Sequence, residues 1–250
     1  MEPLSRRQLL AGSALLAGGV QAAAAHGAEQ SPSRKLKVLV AGAHPDDPES
    51  GCAGTIARYA DLGHEVVVVY LTRGEAGIKG KSQQEAAAIR TAEAEKACRL
   101  LGARPLFAGQ IDGATEVSPQ RYDAFRKLIA AEKPDVVFTH WPVDTHRDHR
   151  ACSLLLFDAW LNTGRRFSLY YFEVDLGGQT QCFRPTHYVD ITATEPRKRA
   201  ACLAHESQHA ATGFYPQYHE KMHQFRGMES GYKLAEAFVH HDPSALGGLP

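Results

Sequence analysis

The sequence lacks an excess of charge of either sign. Its 250 residues include 28 lysines and arginines and 28 aspartates and glutamates, so the formal net charge at pH 7 is zero. A balanced chain has no field of one sign with which to attract nucleic acid or an anionic membrane. Aromatic residues make up only 8% of the chain and do not alternate with basic clusters, as they do on single-strand nucleic-acid platforms. These absences favour a small-molecule partner.

Long hydrophobic runs and closely paired cysteines are also lacking. After the N-terminal region no segment reaches the ~18 apolar residues of a membrane-spanning helix, so we expect no stable membrane insertion of the mature chain. The five cysteines form no C-x-x-C pair, which argues against a thiolate zinc site, and their odd number leaves at least one thiol unpaired. Most of them are expected to be small buried residues of the core.

The first 25 residues have the composition of a targeting segment. Arg6 and Arg7 precede a short run of Ala, Gly and Leu, and the small residues at 22–25 offer cleavage sites. The paired arginines resemble a twin-arginine export signal, so we predict a periplasmic or secreted protein. A polar linker over 26–34, a folded domain over 35–240 and a flexible tail over 241–250 complete the predicted organisation.

Apolar strand patterns alternate with helical patterns along the chain. The predicted strands cover 37–42, 64–71, 106–108 and 135–139, and the predicted helices cover 49–62, 84–101, 119–132 and 150–161. This alternation predicts an α/β protein with a Rossmann-like, doubly wound, mostly parallel sheet in a single domain. In the common strand order 3-2-1-4-5, strands one and four are neighbours. A mixed α+β portion follows, with strands at 166–174 and 187–191 and a helix at 195–209.

The first predicted strand ends in a turn that is rich in imidazole and carboxylate groups. His44, Asp46 and Asp47 lie in this turn, between the carboxyl end of the strand and the next helix. Open α/β sheets bind their ligands at this edge. Imidazole nitrogen and carboxylate oxygen are both zinc donors, but aspartates in such a position also cap helices. These three residues alone leave metal binding and helix capping equally open.

A second cluster follows the fourth predicted strand. His146 and His149 lie three residues apart at the start of a helix, and Asp144 and Asp148 can accept hydrogen bonds from ring N–H groups. Because strands one and four are adjacent in the predicted sheet, this cluster should face the first one across the crevice. The two clusters together favour a divalent-metal site over helix capping.

Three further patterns have a simpler interpretation. The segments 205–209 and 219–223 each begin and end with histidine, a spacing that on a helix permits a second metal site. No carboxylate motif accompanies them, so we interpret these histidines as facing solvent. Arg90 and Glu93 are expected to form an i,i+3 ion pair on the surface of their helix.

The motifs resemble those of the PIG-L deacetylase family, also called LmbE-like. The resemblance spans about residues 37–209 and rests on A-H-P-D-D at 43–47, R-T-A-E at 90–93, D-T-H-R-D-H at 144–149 and H-E-S-Q at 205–208. Members of this family remove an N-acyl group from amino sugars. The resemblance implies a zinc-dependent hydrolase that removes the N-acetyl group from an N-acetylglucosamine-containing glycoside or a related amino sugar. From the same resemblance we also expect a homo-oligomer, either a trimer or a hexamer.

The resemblance assigns the metal ligands and the base. It implies one zinc ion per chain, bound by His44, Asp47 and His149, with Asp46 as the general base that takes a proton from water. The donor types by themselves admit other divalent metals as well.

The resemblance assigns four supporting residues too. Protonated His146 would stabilise the oxyanion or donate a proton, and Asp148 would orient that histidine. Arg90 and Asp112 would be substrate-binding residues that contact the sugar.

Alternative functions remain open at the level of the sequence. An amidase that acts on a larger N-acyl conjugate would use the same metal chemistry in a more open pocket. A non-catalytic glycan-binding protein would keep the fold and the metal. A dinucleotide-binding oxidoreductase also fits the fold, but the first turn lacks G-x-G-x-x-G and has acids where a pyrophosphate needs backbone N–H groups.

Overall fold

The computed structural model describes residues 34–174, 178–209 and 215–241. The predicted export signal, residues 26–33 of the predicted linker and the predicted tail from residue 242 onwards lie outside the described residues. The first strand begins at Lys37, two residues after the predicted start of the folded domain.

The described ranges contain one seven-stranded sheet with the strand order β3-β2-β1-β4-β5-β7-β6. The strands are β1 Lys37–Gly42, β2 Glu65–Tyr70, β3 Arg104–Phe107, β4 Val136–His140, β5 Ser168–Phe172, β6 His187–Asp190 and β7 Ala235–His240. The first five strands pair in parallel, and β7 is antiparallel to both β5 and β6. The predicted mostly parallel sheet and the order 3-2-1-4-5 are therefore confirmed.

Seven α-helices accompany the sheet within the same ranges. They are α1 Asp47–Asp61, α2 Gln83–Leu101, α3 Pro119–Glu132, α4 Arg147–Asn162, α5 Glu195–Leu203, α6 Glu206–His209 and α7 Glu220–Ser230, with a π-helical turn at Tyr215–His219 before α7. The single helix predicted over 195–209 is wrong, because the chain leaves helical geometry between α5 and α6.

The start of α4 differs from the sequence prediction by three residues. The helix begins at Arg147 because His146 is its N-cap: the ring Nδ1 accepts a hydrogen bond from the backbone N–H of Asp148 at 3.3 Å. Histidine is not among the residues that usually mark a helix N-terminus, so the sequence carried no start signal at this point.

Side chains alternate between the two faces of the sheet and build two hydrophobic cores. On β1, Val38 and Val40 contribute to one core and Leu39 and Ala41 to the other. The first core includes residues of α1, α2 and α5, and the second includes residues of α3 and α4. Both faces of the parallel sheet are therefore covered by helices, and the carboxyl edge of the strands stays available for a site.

The five cysteines all lie in the described ranges and are free. Cys52, Cys98, Cys152 and Cys202 are buried and Cys182 is exposed, which confirms the prediction that most are core residues. Burial raises the pKa of the four buried thiols, so they are unreactive. Every helix in the described part of the chain is too short or too polar to cross a lipid bilayer.

Candidate active site

The two clusters seen in the sequence meet at the carboxyl edge of the sheet. β1 and β4 are adjacent and parallel, with Ala41 in register with Thr139. His44 and Asp47 follow β1 at the same edge at which α4 follows β4. His149, in the first turn of α4, contacts Asp47 directly. The strand order therefore brings together residues that are about a hundred positions apart in the sequence.

His44, Asp47 and His149 are buried, and their polar atoms lie close together. His44 Nδ1 is 3.2 Å from Asp47 Oδ2, and His149 Nε2 is 3.3 Å from Asp47 Oδ1. Two ligands of a tetrahedral zinc ion, each at about 2.0–2.1 Å from the metal, are about 3.3–3.4 Å apart. The chemistry and spacing of these donors therefore fit a divalent metal.

The second nitrogen of each histidine has a carboxylate partner. His44 Nε2 lies 3.2 Å from Asp148 Oδ2 and 3.2 Å from Asp112 Oδ1. His149 Nδ1 lies 3.2 Å from Asp144 Oδ1. Such partners fix the tautomer and orientation of a metal-binding imidazole. They leave Nδ1 of His44 and Nε2 of His149 available to a metal.

Asp148 differs from the role that the resemblance implied. Its carboxylate was expected to orient His146, but it faces His44 and accepts hydrogen bonds from Thr115 Oγ1 and the N–H of Gly113. The backbone N–H of Asp148, rather than its side chain, contacts His146. The reason is that His146 caps α4, so its Nδ1 is directed at the helix terminus.

The charges of the cluster shift the pKa values of its members. Burial raises the pKa of Asp47, but His149, His140 and His44 outweigh burial and hold it well below its ordinary value. Burial lowers the pKa of His149, but Asp47 and Asp144 raise it to about 9. The carboxylates thus favour positive charge in the cluster, which either a protonated imidazole or a bound cation can supply.

His146 lies at the mouth of the cluster and is half-buried. Burial, followed by the charges of His44 and His149, lowers the pKa of His146 and so favours the neutral form of its ring over the protonated form that the resemblance implies. Its Nδ1 accepts a hydrogen bond from Asp148, so the ring proton of the neutral form is on Nε2. A neutral His146 can therefore still donate a hydrogen bond.

His140 belongs to the cluster, although the sequence analysis did not identify it. Its Nε2 accepts a hydrogen bond from the N–H of Ala43 at 3.0 Å and lies 3.2 Å from Asp47 Oδ2. Its ring stacks on His149, with 4.0 Å between centroids. Burial lowers the pKa of His140 to about 4, so the ring is neutral. Its place at the last residue of β4 is the signal that could have revealed it.

Asp46 has a backbone conformation that non-glycine residues rarely adopt. Its φ and ψ are 114° and −28°, which costs of order 1–3 kcal/mol. Within the described part of the chain, its side chain makes no capping hydrogen bond to α1, so the alternative of simple helix capping is wrong for this residue. Asp46 Oδ1 lies instead 3.1 Å from Arg90 Nη2.

Arg90 is buried, and its expected surface pair with Glu93 is wrong. The guanidinium donates a hydrogen bond to the carbonyl oxygen of Pro45 and contacts Asp46. Glu93 accepts hydrogen bonds from the N–H and the hydroxyl of Ser207. Each side chain of the expected pair therefore has a partner on another segment, which helical spacing alone cannot reveal.

A pocket of about 500 Å³ opens in front of the cluster. Seven of the eight predicted site residues line it, namely His44, Asp46, Asp47, Arg90, Asp112, His146 and His149. The eighth, Asp148, is completely buried behind His44. Ser50, Val174 and Gln179 also line the pocket and belong to no motif in the sequence, and Gln208, the last residue of the H-E-S-Q motif, lines it too. The roles of the eight residues stay predictions.

The histidines of the two other segments do not face solvent. His205, His219 and His223 are buried, so that interpretation is wrong. His205 Nε2 lies 3.4 Å from Glu49 Oε1, and His219 Nε2 lies 3.3 Å from Ser50 Oγ. Among the described residues there are three groups of three possible metal donors, and each combines one or two of His44, Asp47 and His149 with His140, with His146, or with Asp112 and Asp148. The side chain of His209 lies outside the described residues.

Comparison with known proteins gives the family of the chain and structures of similar fold. Residues 39–160 match the PIG-L family, described as GlcNAc-PI de-N-acetylase. The diacetylchitobiose deacetylase of Thermococcus kodakarensis is 29% identical over 234 residues, which cover 84% of this chain and 87% of that protein. The structure of N,N'-diacetylchitobiose deacetylase from Pyrococcus horikoshii, in complex with its inhibitor MPG, has a TM-score of 0.73 and 27% identity, covering 83% of this chain and 84% of that one. The conserved protein TT1542 from Thermus thermophilus has a TM-score of 0.74 and 30% identity, covering 85% of this chain and 97% of that one. The chain belongs to the PIG-L (GlcNAc-PI de-N-acetylase) family.

Proposed function

We propose that the protein is a metal-dependent deacetylase that hydrolyses the N-acetyl group of an N-acetylglucosamine-containing glycoside or a related amino sugar. The observation that carries the proposal is the meeting of His44, Asp47 and His149 beside Asp46, at the floor of an open pocket. The names of the Thermococcus and Pyrococcus relatives, both diacetylchitobiose deacetylases, support this substrate class.

The proposed metal is one zinc ion per chain. Nδ1 of His44, the carboxylate of Asp47 and Nε2 of His149 would hold it, with Asp148 and Asp144 fixing the two rings from behind. When bound, zinc acts as a Lewis acid that polarises an amide carbonyl and lowers the pKa of water. Three protein ligands are the number found in catalytic zinc sites, which keep one position open.

Asp46 would perform the proton transfers, and His146 would stabilise the charge that develops on the carbonyl oxygen. As water attacks the acetyl carbon, Asp46 takes one of its protons, and the carbonyl oxygen gains negative charge. The Nε2–H of neutral His146 donates a hydrogen bond to this oxygen, and such a donor typically contributes about 10²–10³ in rate. The protonated Asp46 then gives its proton to the leaving nitrogen as the C–N bond breaks. The products are the free amino sugar and acetate.

Two of the alternative functions fit the same pocket. An amidase for a larger N-acyl conjugate would use the same residues, and a pocket of about 500 Å³ with an open mouth does not limit the acyl group to acetate by volume alone. A glycan-binding protein without turnover would retain the metal, but it would not need Asp46 in a strained conformation beside the ligands.

The test is the release of primary amine by the purified mature chain. N-Acetylglucosamine, N,N'-diacetylchitobiose and a panel of N-acetylglucosamine glycosides serve as substrates, with chelator, and with zinc added after chelation. Release that chelator abolishes and zinc restores supports the proposal. No release from any amino sugar, by protein with one metal per chain, refutes it, and release from longer N-acyl conjugates would then identify the amidase.

The variants Asp46→Asn and Asp61→Asn separate catalysis from metal binding. Asp61 is at the end of α1, exposed and paired with Arg197, so it is a matched control on the helix that follows Asp46. We expect Asp46→Asn to keep its metal and lose most of its turnover, and Asp61→Asn to behave as the wild type. Near-normal turnover in Asp46→Asn would show that another group is the base.

Export is a separate proposal that rests on Arg6 and Arg7. Replacement of both by lysine should leave the unprocessed chain in the cytoplasm, because twin-arginine transport reads the pair. Arg34→Lys, outside the signal, should be exported and processed as the wild type is. Cell fractionation with a blot for the two chain lengths measures both, and equal export of the two variants would contradict the proposal.

A further inference from the structure

Arg90 and Asp46 form a charged contact on the wall of the pocket. Arg90 is 3% exposed, and one guanidinium nitrogen, Nη2, contacts both the carbonyl oxygen of Pro45 and Oδ1 of Asp46. This nitrogen therefore joins the backbone before Asp46 to the Asp46 carboxylate. The same nitrogen thus contacts both the backbone of the turn in which Asp46 has a φ of 114° and the side chain of Asp46.

We propose that Arg90 is a positioning residue that holds Asp46 in its strained conformation, so that the carboxylate faces the attacking water. The proposal rests on the proposed function, in which Asp46 is the base. The resemblance assigned Arg90 to the sugar instead. A strained conformation persists only where surrounding contacts impose it, and the two contacts of Nη2 act on this turn.

Two glycines create the space that Arg90 occupies. A Cβ at Gly74 would lie 2.4 Å from Arg90 Nη1, and a Cβ at Gly77 would lie 2.3 Å from the same atom. Both glycines belong to the loop between β2 and α2. The loop thus forms a slot that fits the guanidinium only because these positions have no side chain. The two glycines adjoin Nη1 of the guanidinium, whereas Pro45 and Asp46 contact its Nη2.

Lysine is the most informative replacement for Arg90. It keeps the positive charge, but an ammonium on a flexible stem lacks the planar group that the slot fixes against both acceptors. Misplacing a catalytic group by 1 Å can cost about 10²-fold in rate. We therefore expect Arg90→Lys to lower kcat by about 10–10²-fold, with KM changed by less than about threefold and with metal content unchanged. Arg99→Lys, on the exposed face of the same helix, is the matched control.

The split between kcat and KM distinguishes the two roles of Arg90. If Arg90 bound the sugar in the ground state, Arg90→Lys would raise KM and leave kcat near the wild-type value, and this result would overturn the proposal. If Arg90→Lys lost its metal or its fold, the variants Gly74→Ala and Gly80→Ala would decide between the two roles.

Gly74→Ala and Gly80→Ala test the slot without changing Arg90. Both glycines have positive φ, 71° and 82°, so both alanines bear similar backbone strain, but a Cβ at Gly80 meets no atom within 4 Å among the described residues. Gly74→Ala should lower kcat about as far as Arg90→Lys does, and Gly80→Ala should not. Equal kcat values in the two alanine variants would overturn the proposal.

Asp46→Asn separates failure of this proposal from failure of the proposed function. If Asp46→Asn keeps near-normal turnover, Asp46 is not the base and Arg90 has nothing to position. If Asp46→Asn loses turnover but Arg90→Lys and Gly74→Ala keep theirs, the proposed function stands and the positioning role of Arg90 is refuted.

Discussion

Lys198 and Glu236 form an ion pair inside the core next to the site, and its removal should destabilise the protein strongly. Lys198 Nζ lies 2.5 Å from Glu236 Oε1 and donates a hydrogen bond to the carbonyl oxygen of Ser50 at 2.6 Å. The carboxylate of Glu236 also accepts the N–H groups of Gly54 and Thr55, each at 2.8 Å. Both side chains are at most 1% exposed. The pair therefore ties α5 and β7 to α1.

The magnitude follows from the burial of the charge that remains. Lys198→Met keeps an unbranched side chain of similar length, but it leaves the Glu236 carboxylate buried without a cation. Breaking a buried pair in this way costs about 3–5 kcal/mol. For a chain of this size about 1 kcal/mol lowers Tm by about 2–4 °C, so we expect a decrease of about 6–20 °C. The two backbone N–H donors of Glu236 favour the lower half of this range.

The assay is urea and thermal unfolding of Lys198→Met beside Lys96→Met. Lys96 Nζ lies 2.9 Å from Glu206 Oε1, but both side chains are more than half exposed, so this control removes the same kind of pair from a solvated surface. The double variant Lys198→Met/Glu236→Gln should recover part of the lost stability, because it leaves no buried charge. A Lys198→Met protein as stable as Lys96→Met would refute the reasoning.

Three more predictions concern the metal ligands and the thiols. Asp148→Asn should weaken zinc binding by about 10–100-fold in competition with a chromogenic chelator, because His44 loses one of its two carboxylate partners, and unchanged affinity would contradict the role of that contact. Burial lowers the pKa of His149, but Asp47 and Asp144 raise it to about 9, so below that pH a metal must displace a proton from this ring. Zinc affinity should therefore rise with pH up to about 9. Titrations that gave one affinity from about pH 6.5 to 9 would refute this. A thiol reagent should modify Cys182 alone in the native protein and all five cysteines after denaturation, and a second fast thiol would show that the described burial is wrong.

The metal cluster could be predicted because each half of it follows a strand. The β-branched run before His44 and the run before His140 have strand patterns, and the common strand order 3-2-1-4-5 then makes the two strands neighbours. No side-chain contact is needed for this step. The sequence does not predict His140, because the predicted strand ends at Thr139 and the structure extends it by this one residue.

Which partner each polar side chain takes could not be predicted. Arg90 was paired with Glu93 by helical spacing, yet it enters a slot made by a loop that precedes its own helix. Asp148 was paired with His146, yet its carboxylate faces His44 across the crevice. In both cases the side chain has a partner distant in sequence instead of the local one. A buried charge without a partner is costly, so the oppositely charged or polar group nearest in space pairs with it.

The buried histidines show the same limit. His205 begins the H-E-S-Q motif and His219 belongs to no motif, and neither pattern distinguishes a buried histidine from a surface one. They are buried because the segments that carry them meet Glu49 and Ser50 of α1. A histidine is compatible with both environments, so only the packing of these segments decides between them.

By itself the sequence determined the alternation of strands and helices, the order of the parallel strands and the edge at which His44, Asp47 and His149 meet, because these depend on periodicity and on chain topology. Tertiary structure alone decided which nitrogen of each histidine faces Asp47, which carboxylate supports it, and that Arg90 contacts Asp46. These details depend on side-chain directions and on the loops between elements, and neither has a period that a sequence reveals.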